Sequence, residues 1–77
     1  MKLEELLLND RGFAFDPADG QSYQLSPTAL RLVQLLKQNT PESELISVLV
    51  EEYEVDEHTA SRDVSLFLQT LNELDWL

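Results

Sequence analysis

Hydrophobic and polar residues alternate in two short runs near the N-terminus, which is the pattern of a β-hairpin with one apolar face. The apolar positions are Phe13, Phe15, Tyr23 and Leu25. A three-residue loop at 18–20 is expected to join the arms, with Gly20 in the positive-φ conformation that glycine adopts most easily. This loop would set Phe15 opposite Tyr23 and Phe13 opposite Leu25, with all four side chains holding the sheet on the helices.

Four leucines within residues 3–8 fit either a helical face or a short buried strand. The turn signal at residues 9–12 favours a strand, because it comes directly before the hairpin. A third strand would also help a hairpin that is marginally stable in water by itself.

After the hairpin the apolar spacing becomes helical. Ser26 and Pro27 predict the N-cap and first position of a helix that runs to about Gln38. Thr40 and Pro41 predict the start of a second helix in the same way. The side of that helix expected to be buried comprises Leu45, Ile46, Val48, Leu49 and Tyr53.

Asp56 is the predicted N-cap of a third helix, from about Glu57 to Leu74. Projected at 100° per residue, its core stripe comprises Ala60, Val64, Phe67, Leu71 and Leu74. Leu66 falls outside this stripe, so it is either an ordinary exposed leucine or a contact for a partner. Trp76 is expected to fold back and close the core.

Length and composition indicate one small domain, residues 1–77, with 43% hydrophobic residues to form a single core. The absence of cysteine excludes disulfides and thiolate metal sites and fits a reducing cytoplasm. The longest apolar run has three leucines, too few to cross a bilayer, and the acidic start is unlike a signal peptide.

The net charge is −10, from fifteen acidic and five basic residues. Such a chain repels nucleic-acid phosphates and anionic membrane surfaces. The acids either favour basic partners or simply keep a small protein soluble. Nucleic acid and membrane are therefore not expected among its partners.

Residues that could carry chemistry are few. His58 is the single histidine, and with Asp56 and Glu57 it forms three consecutive positions that cannot converge on one metal ion. Residues 16–27 lack the oxygen ligands of a calcium loop. Only two glycines are present, so no phosphate-binding loop is expected, and the hydroxyl residues lack a histidine base. Neither catalysis, a metal nor a cofactor is expected.

These elements predict an α+β fold that is winged helix-turn-helix-like, with a small three-stranded antiparallel sheet followed by three helices. That fold usually reads DNA with a basic recognition helix. Here the third helix sets Arg62 against the acids Glu57, Asp63 and Glu73, so the charge argues against DNA binding.

Several motifs occur in a fixed order along the chain. A D-P-x-x-G turn follows the phenylalanine strand, the second helix carries L-I-x-x-L-x-x-E-Y-x-V, and the third carries A-x-x-D-V-x-x-F-L-x-x-L before a terminal Trp-Leu. From about Leu6 to Leu77 the chain resembles the PqqD-like family, the peptide-recognition elements of ribosomally made, modified peptide pathways. The sequence departs mildly at Ser26, where asparagine is common, and at Gln38 and Asn39, where the usual break contains glycine.

The resemblance implies a non-catalytic domain that binds the leader of a precursor peptide as an added strand. It implies delivery of that peptide to a modifying enzyme, such as a radical-SAM enzyme in the quinone-cofactor pathway. The implied edge strand comprises Gln21, Ser22, Tyr23, Gln24 and Leu25. The implied groove wall comprises Arg62, Asp63, Leu66, Thr70 and Glu73.

Two other functions stay open on the residues alone. One is an acidic winged-helix module that contacts proteins in regulation, and the other, disfavoured by charge, is a DNA-binding regulator. The chain could be a monomer or a dimer, because small domains with open strand edges can pair or swap strands.

Overall fold

The computed structural model describes residues 2–77 and has the predicted winged helix-turn-helix-like α+β architecture. A 3-10 turn at Lys2–Glu5 precedes an antiparallel sheet of three strands: β1 (Leu7–Leu8), β2 (Phe13–Asp16) and β3 (Gln21–Gln24). Three helices follow: α1 (Pro27–Lys37), α2 (Glu42–Tyr53) and α3 (Glu57–Glu73). The N-terminal leucines thus form both a helical turn and a strand.

The register between β2 and β3 differs from the predicted one. Phe13 lies opposite Gln24 and Phe15 lies opposite Ser22, because four residues, 17–20, form the loop. The Asp16 side chain accepts a hydrogen bond from the Ala18 N–H (2.9 Å), and its carbonyl accepts one from the Gly20 N–H (2.8 Å). These bonds draw Pro17 into the turn, while Gly20 has the predicted positive φ, 74°.

This register decides which side chains face the core, since adjacent residues of a strand point to opposite faces. Ala14 and Asp16 are buried, whereas Phe13 and Phe15 are 44% and 39% exposed. The prediction that both phenylalanines hold the sheet on the helices is therefore wrong. Only Tyr23 and Leu25 of the predicted set pack against the core.

One core cluster joins the two ends of the chain beneath the sheet. Its buried members are Leu3, Leu6, Ala14, Val33, Leu71 and Trp76. Trp76 closes this core as predicted: its ring meets that of Tyr23 edge-on at 4.9 Å, and its carbonyl accepts the N–H of Leu3 (3.1 Å). Leu3 and Trp76, near the two ends of the chain, thus stabilise each other's position.

The turn after α3 explains how Trp76 reaches the core. Asp75 is left-handed (φ 60°), its N–H donates to Asn72 O (3.1 Å), and the Trp76 N–H donates to Leu71 O (2.9 Å). This is a Schellman C-cap, which brings the residue after the turn back onto the last helical turn. It also turns Leu74 outward, 39% exposed, so its predicted place in the core is wrong.

The same motif ends α1 and displaces the start of α2. Asn39 has φ 61°, its N–H donates to Leu36 O (2.9 Å), and the Thr40 N–H donates to Leu35 O (3.1 Å). Thr40 therefore completes the end of α1. The prediction that Thr40 caps α2 is wrong. Pro41 is the N-cap of α2 and makes no side-chain cap.

The other two predicted caps are confirmed. Ser26 Oγ accepts the Ala29 N–H at 3.1 Å, and Asp56 Oδ1 accepts the Thr59 N–H at 2.6 Å. A second core cluster unites the three helices through Leu32, Leu35, Leu45, Leu49, Ala60 and Val64. Phe67 of α3 packs against both clusters and so connects the helices to the sheet. No helix in residues 2–77 has the length and apolar character needed to span a membrane.

Candidate functional site

Strand β3 is an edge of the sheet and pairs with β2 on one side. It is four residues long, twice the length of β1 at the opposite edge. The β1 edge also adjoins Leu6, whose carbonyl accepts a hydrogen bond from Lys37 Nζ. The longer surface for pairing with another strand is therefore that of β3.

Hydrogen bonds within the sheet identify which groups of β3 face outward. The Leu25 N–H donates to Gly12 O at 2.7 Å, so this pair belongs to the bonded set of the ladder. Bonded and non-bonded pairs alternate in antiparallel sheets. Tyr23 therefore points its N–H and C=O at β2, and Ser22 and Gln24 point theirs away from the sheet.

No charged side chain protects this edge, since Gln21–Gln24 reads Gln-Ser-Tyr-Gln. Exposed edges in monomeric proteins are usually blocked by lysine, proline, a bulge or a covering segment. None of these blocking charges is present on the strand Gln21–Gln24, although 26% of the residues in the whole chain are charged.

The apolar support of β3 is firm. Tyr23 and Leu25 lie half-buried on the cluster that contains Leu71 and Trp76, and Phe67 packs on the same cluster. The Tyr23 hydroxyl donates to Gln21 Oε1 at 3.3 Å. The strand and the C-terminal half of α3 thus share one core, which sets their relative position.

The α3 residues predicted to line a groove are all exposed. Leu66 is 56% exposed, as its place outside the core stripe predicts. Arg62, Leu66 and Thr70 follow at steps of four and share one side of the helix, and Arg62 pairs with Asp63 at 3.5 Å. The Thr70 hydroxyl donates to Leu66 O at 3.0 Å.

Glu73 lies at the end of α3, and its carboxylate accepts from Gln69 Nε2 at 3.4 Å. The hydrogen bonds and ion pairs found within residues 2–77 include none between Gln21–Gln24 and α3. The two elements are joined through the core beneath them.

A concavity that sequence reasoning missed lies at the C-terminal end of β3. It is enclosed by residues 10–12, the end of β3 and the start of α1, with Gln24, Leu25 and Leu30 in its wall. Gly12 permits this arrangement, since its φ is 90° and a Cβ there would lie 2.6 Å from Leu25 O. Gly12 is visible in the sequence as a turn residue, but only folding brings it beside Leu25.

Charged groups elsewhere serve the scaffold. Hydrogen bonds from Thr59, aided by the charges of His58 and Arg62, hold the pKa of Asp56 below its usual value. Arg31 of α1 binds Glu52 of α2 through two hydrogen bonds, at 3.0 and 3.2 Å. Within residues 2–77 no group of three or more His, Cys, Asp and Glu residues is placed to hold a metal ion.

Comparison with known proteins supports a specific relationship. Residues 7–77 match the family described as Coenzyme PQQ synthesis protein D (PqqD). No curated protein matches. A solved structure, a lasso peptide synthetase B1 complexed with the leader peptide, superposes with a TM-score of 0.75 and 30% identity. The match covers 88% of this chain and 81% of that one. Because the family match spans nearly the whole chain, this protein belongs to the PqqD family.

Proposed function

We propose that this protein is a non-catalytic adaptor that binds the leader of a precursor peptide and presents it to a modifying enzyme. The observation that carries the proposal is the uncharged, outward-facing edge of β3. The PqqD family membership supports it, as does the similarity to a B1 protein complexed with a leader peptide.

The leader would bind as a fourth strand beside β3. Ser22 and Gln24 each offer one N–H and one C=O, and strand addition derives its affinity from such main-chain hydrogen bonds. Each bond contributes about 0.5–1.5 kcal/mol net. Main-chain pairing is indifferent to sequence, so selectivity must come from side chains that the bound strand meets.

Those side chains would come from α3 and from the end of β3. Leu66 would supply an apolar contact, and Arg62, Asp63 and Thr70 would supply polar ones. The concavity beside Gln24 and Leu25 would receive residues at one end of the bound strand. The net charge of −10 favours a leader with basic residues and speeds its association.

The recipient enzyme would act on the part of the precursor that the adaptor leaves free. The resemblance to PqqD-like proteins points to a radical-SAM enzyme as one class of recipient. In this scheme the adaptor raises the local concentration of substrate and takes no part in the chemistry.

An NMR titration of ¹⁵N-labelled protein with synthetic leader peptides of candidate precursors from the same genome tests the proposal. The amides of Ser22 and Gln24 and those on the Leu66 side of α3 should shift together and saturate. Shifts confined to α2, or no shifts at about 1 mM peptide, would contradict it.

A further inference from the structure

The outer face of the sheet carries an apolar patch that the proposed main-chain pairing at β3 does not require. It consists of Leu7, Phe13 and Phe15, which are 60%, 44% and 39% exposed. Leu7 lies directly opposite Phe15, and Phe13 lies two residues along the same face of β2. The three side chains therefore form one continuous surface, which we call the outer patch.

The strand positions beside the outer patch on the same face of the sheet are uncharged. Ser22 lies opposite Phe15 and Gln24 lies opposite Phe13, so both project from the same face. Asn9 next to β1 turns its side-chain oxygen to the N–H groups of Arg11 and Phe13, at 2.9 and 3.1 Å. Charged side chains are absent from the outward positions of Leu7–Leu8, Phe13–Asp16 and Gln21–Gln24.

The exposure of the phenylalanines follows from how the sheet packs on the core. Its inner face is occupied by Ala14, a small residue, in the cluster with Trp76. The four-residue loop fixes this register, so Phe13 and Phe15 must point outward. Contiguous exposed apolar side chains are a common feature of protein contact surfaces.

We propose that the outer patch docks a folded protein with a complementary apolar surface and basic groups at its rim, namely the enzyme that receives the peptide. A second copy of this chain is a poor occupant, because each copy carries a charge of −10. The turn before β2 carries both Asp10 and Arg11, whereas the turn after it carries Asp19, so basic groups of the partner would meet Asp19.

The outer patch is continuous with the proposed peptide edge. A strand added beside β3 would place alternate side chains next to Ser22 and Gln24, on the same outer face. The enzyme would then contact the domain and the bound leader together and would prefer the loaded form. Both the docking and this coupling rest on the proposed function, because the partner is the enzyme that receives the peptide.

The test measures two affinities separately: leader binding by fluorescence anisotropy, and binding of a purified candidate modifying enzyme from the same genome by biolayer interferometry. The variant Phe13→Ser/Phe15→Ser should keep leader affinity and lose at least about tenfold in enzyme affinity. Tyr53→Ser should leave both affinities unchanged, because this ring of α2 lies outside the outer patch. The sequence predicted that Tyr53 is buried, which is wrong, since the side chain is 38% exposed. Saturating leader should tighten enzyme binding by wild type at least about threefold.

If the double variant binds the enzyme as tightly as wild type does, the docking site is overturned. Leu7→Ser repeats the test if the double variant does not fold. If wild type sediments as a dimer and the double variant as a monomer, the occupant of the outer patch is a second copy of this chain. That result would also overturn docking of the enzyme. Equal enzyme affinity with and without leader would overturn the coupling. Absence of leader binding by wild type would instead refute the proposed function, since enzyme docking is also measured without peptide.

Discussion

Ala14 lies directly opposite Tyr23 across β2 and β3, and this pair faces the core. The small methyl group of Ala14 and the half-buried ring of Tyr23 pack on the same cluster as Trp76. The pairing sets the outward direction of Phe13 and Phe15. It also sets the outward direction of the main-chain groups of Ser22 and Gln24, on which the proposed strand addition depends.

Replacing Gln24 with proline should weaken leader binding by about five- to tenfold, because one outward N–H donor is lost. The bonds between β2 and β3 should survive, since the Gln24 N–H points away from β2. Gln24→Ala keeps the donor and should bind nearly as wild type in fluorescence anisotropy. Equal affinities of the proline and alanine variants would show that this N–H is not used.

Leu66→Glu should weaken leader binding at least about fivefold and change the free energy of unfolding by less than about 0.5 kcal/mol. The reason is that Leu66 is largely exposed, so its removal affects a partner rather than the core. Leu77→Glu, at an exposed leucine outside α3, is the matched control. Chemical denaturation and calorimetric titration measure the two effects, and loss of cooperative unfolding would place Leu66 in the core.

Trp76→Ala should destabilise the protein by about 3–5 kcal/mol, as truncations of buried aromatic residues do. Trp76 is almost fully buried, contacts Tyr23 edge-on and accepts a hydrogen bond from Leu3. Leu77→Ala, at the exposed neighbouring position, should leave the melting curve nearly unchanged. A wild-type melting temperature for Trp76→Ala would contradict the proposed closure of the core.

The N-cap of α3 should make part of the stability depend on pH. Hydrogen bonds from Thr59 lower the pKa of Asp56 in the folded state. The cap therefore contributes fully above the usual aspartate pKa, and this contribution is lost as the pH falls through the lowered pKa. Asp56→Asn caps the helix without titrating, so wild type should lose stability relative to this variant as the pH falls from about 5 to about 2. A constant difference in denaturation midpoints over that range would refute the assignment.

Local signals in the sequence predicted most of the fold. Ser26 and Asp56 cap α1 and α3 because a side-chain oxygen satisfies nearby N–H groups whatever surrounds the helix. The prediction for Thr40 was wrong because its own N–H completes the end of α1, a contact that depends on Asn39 adopting a left-handed conformation. Asparagine tolerates the left-handed conformation, but it predicts a helix C-terminus less strongly than glycine does.

Some features of the candidate site were likewise predictable from the sequence, and others were not. The β3 segment, its lack of charge and the exposure of Leu66 were predictable, because they follow from residue types and from helical spacing. The outer patch and the concavity beside Leu25 were not, because each depends on a pairing between segments that no local pattern specifies. A single additional loop residue, Pro17, reversed the face on which Phe13 and Phe15 lie.

The sequence by itself determined the element types, their order, two helix caps and the acidic character of the protein. These features depend on spacing, residue chemistry and charge, which act over a few residues. The tertiary structure alone decided the hairpin register, and with it which groups face the core and which face a partner. It did so because the space above Trp76 is filled by Ala14 and Tyr23, and competition for that buried space is settled only when the whole chain packs.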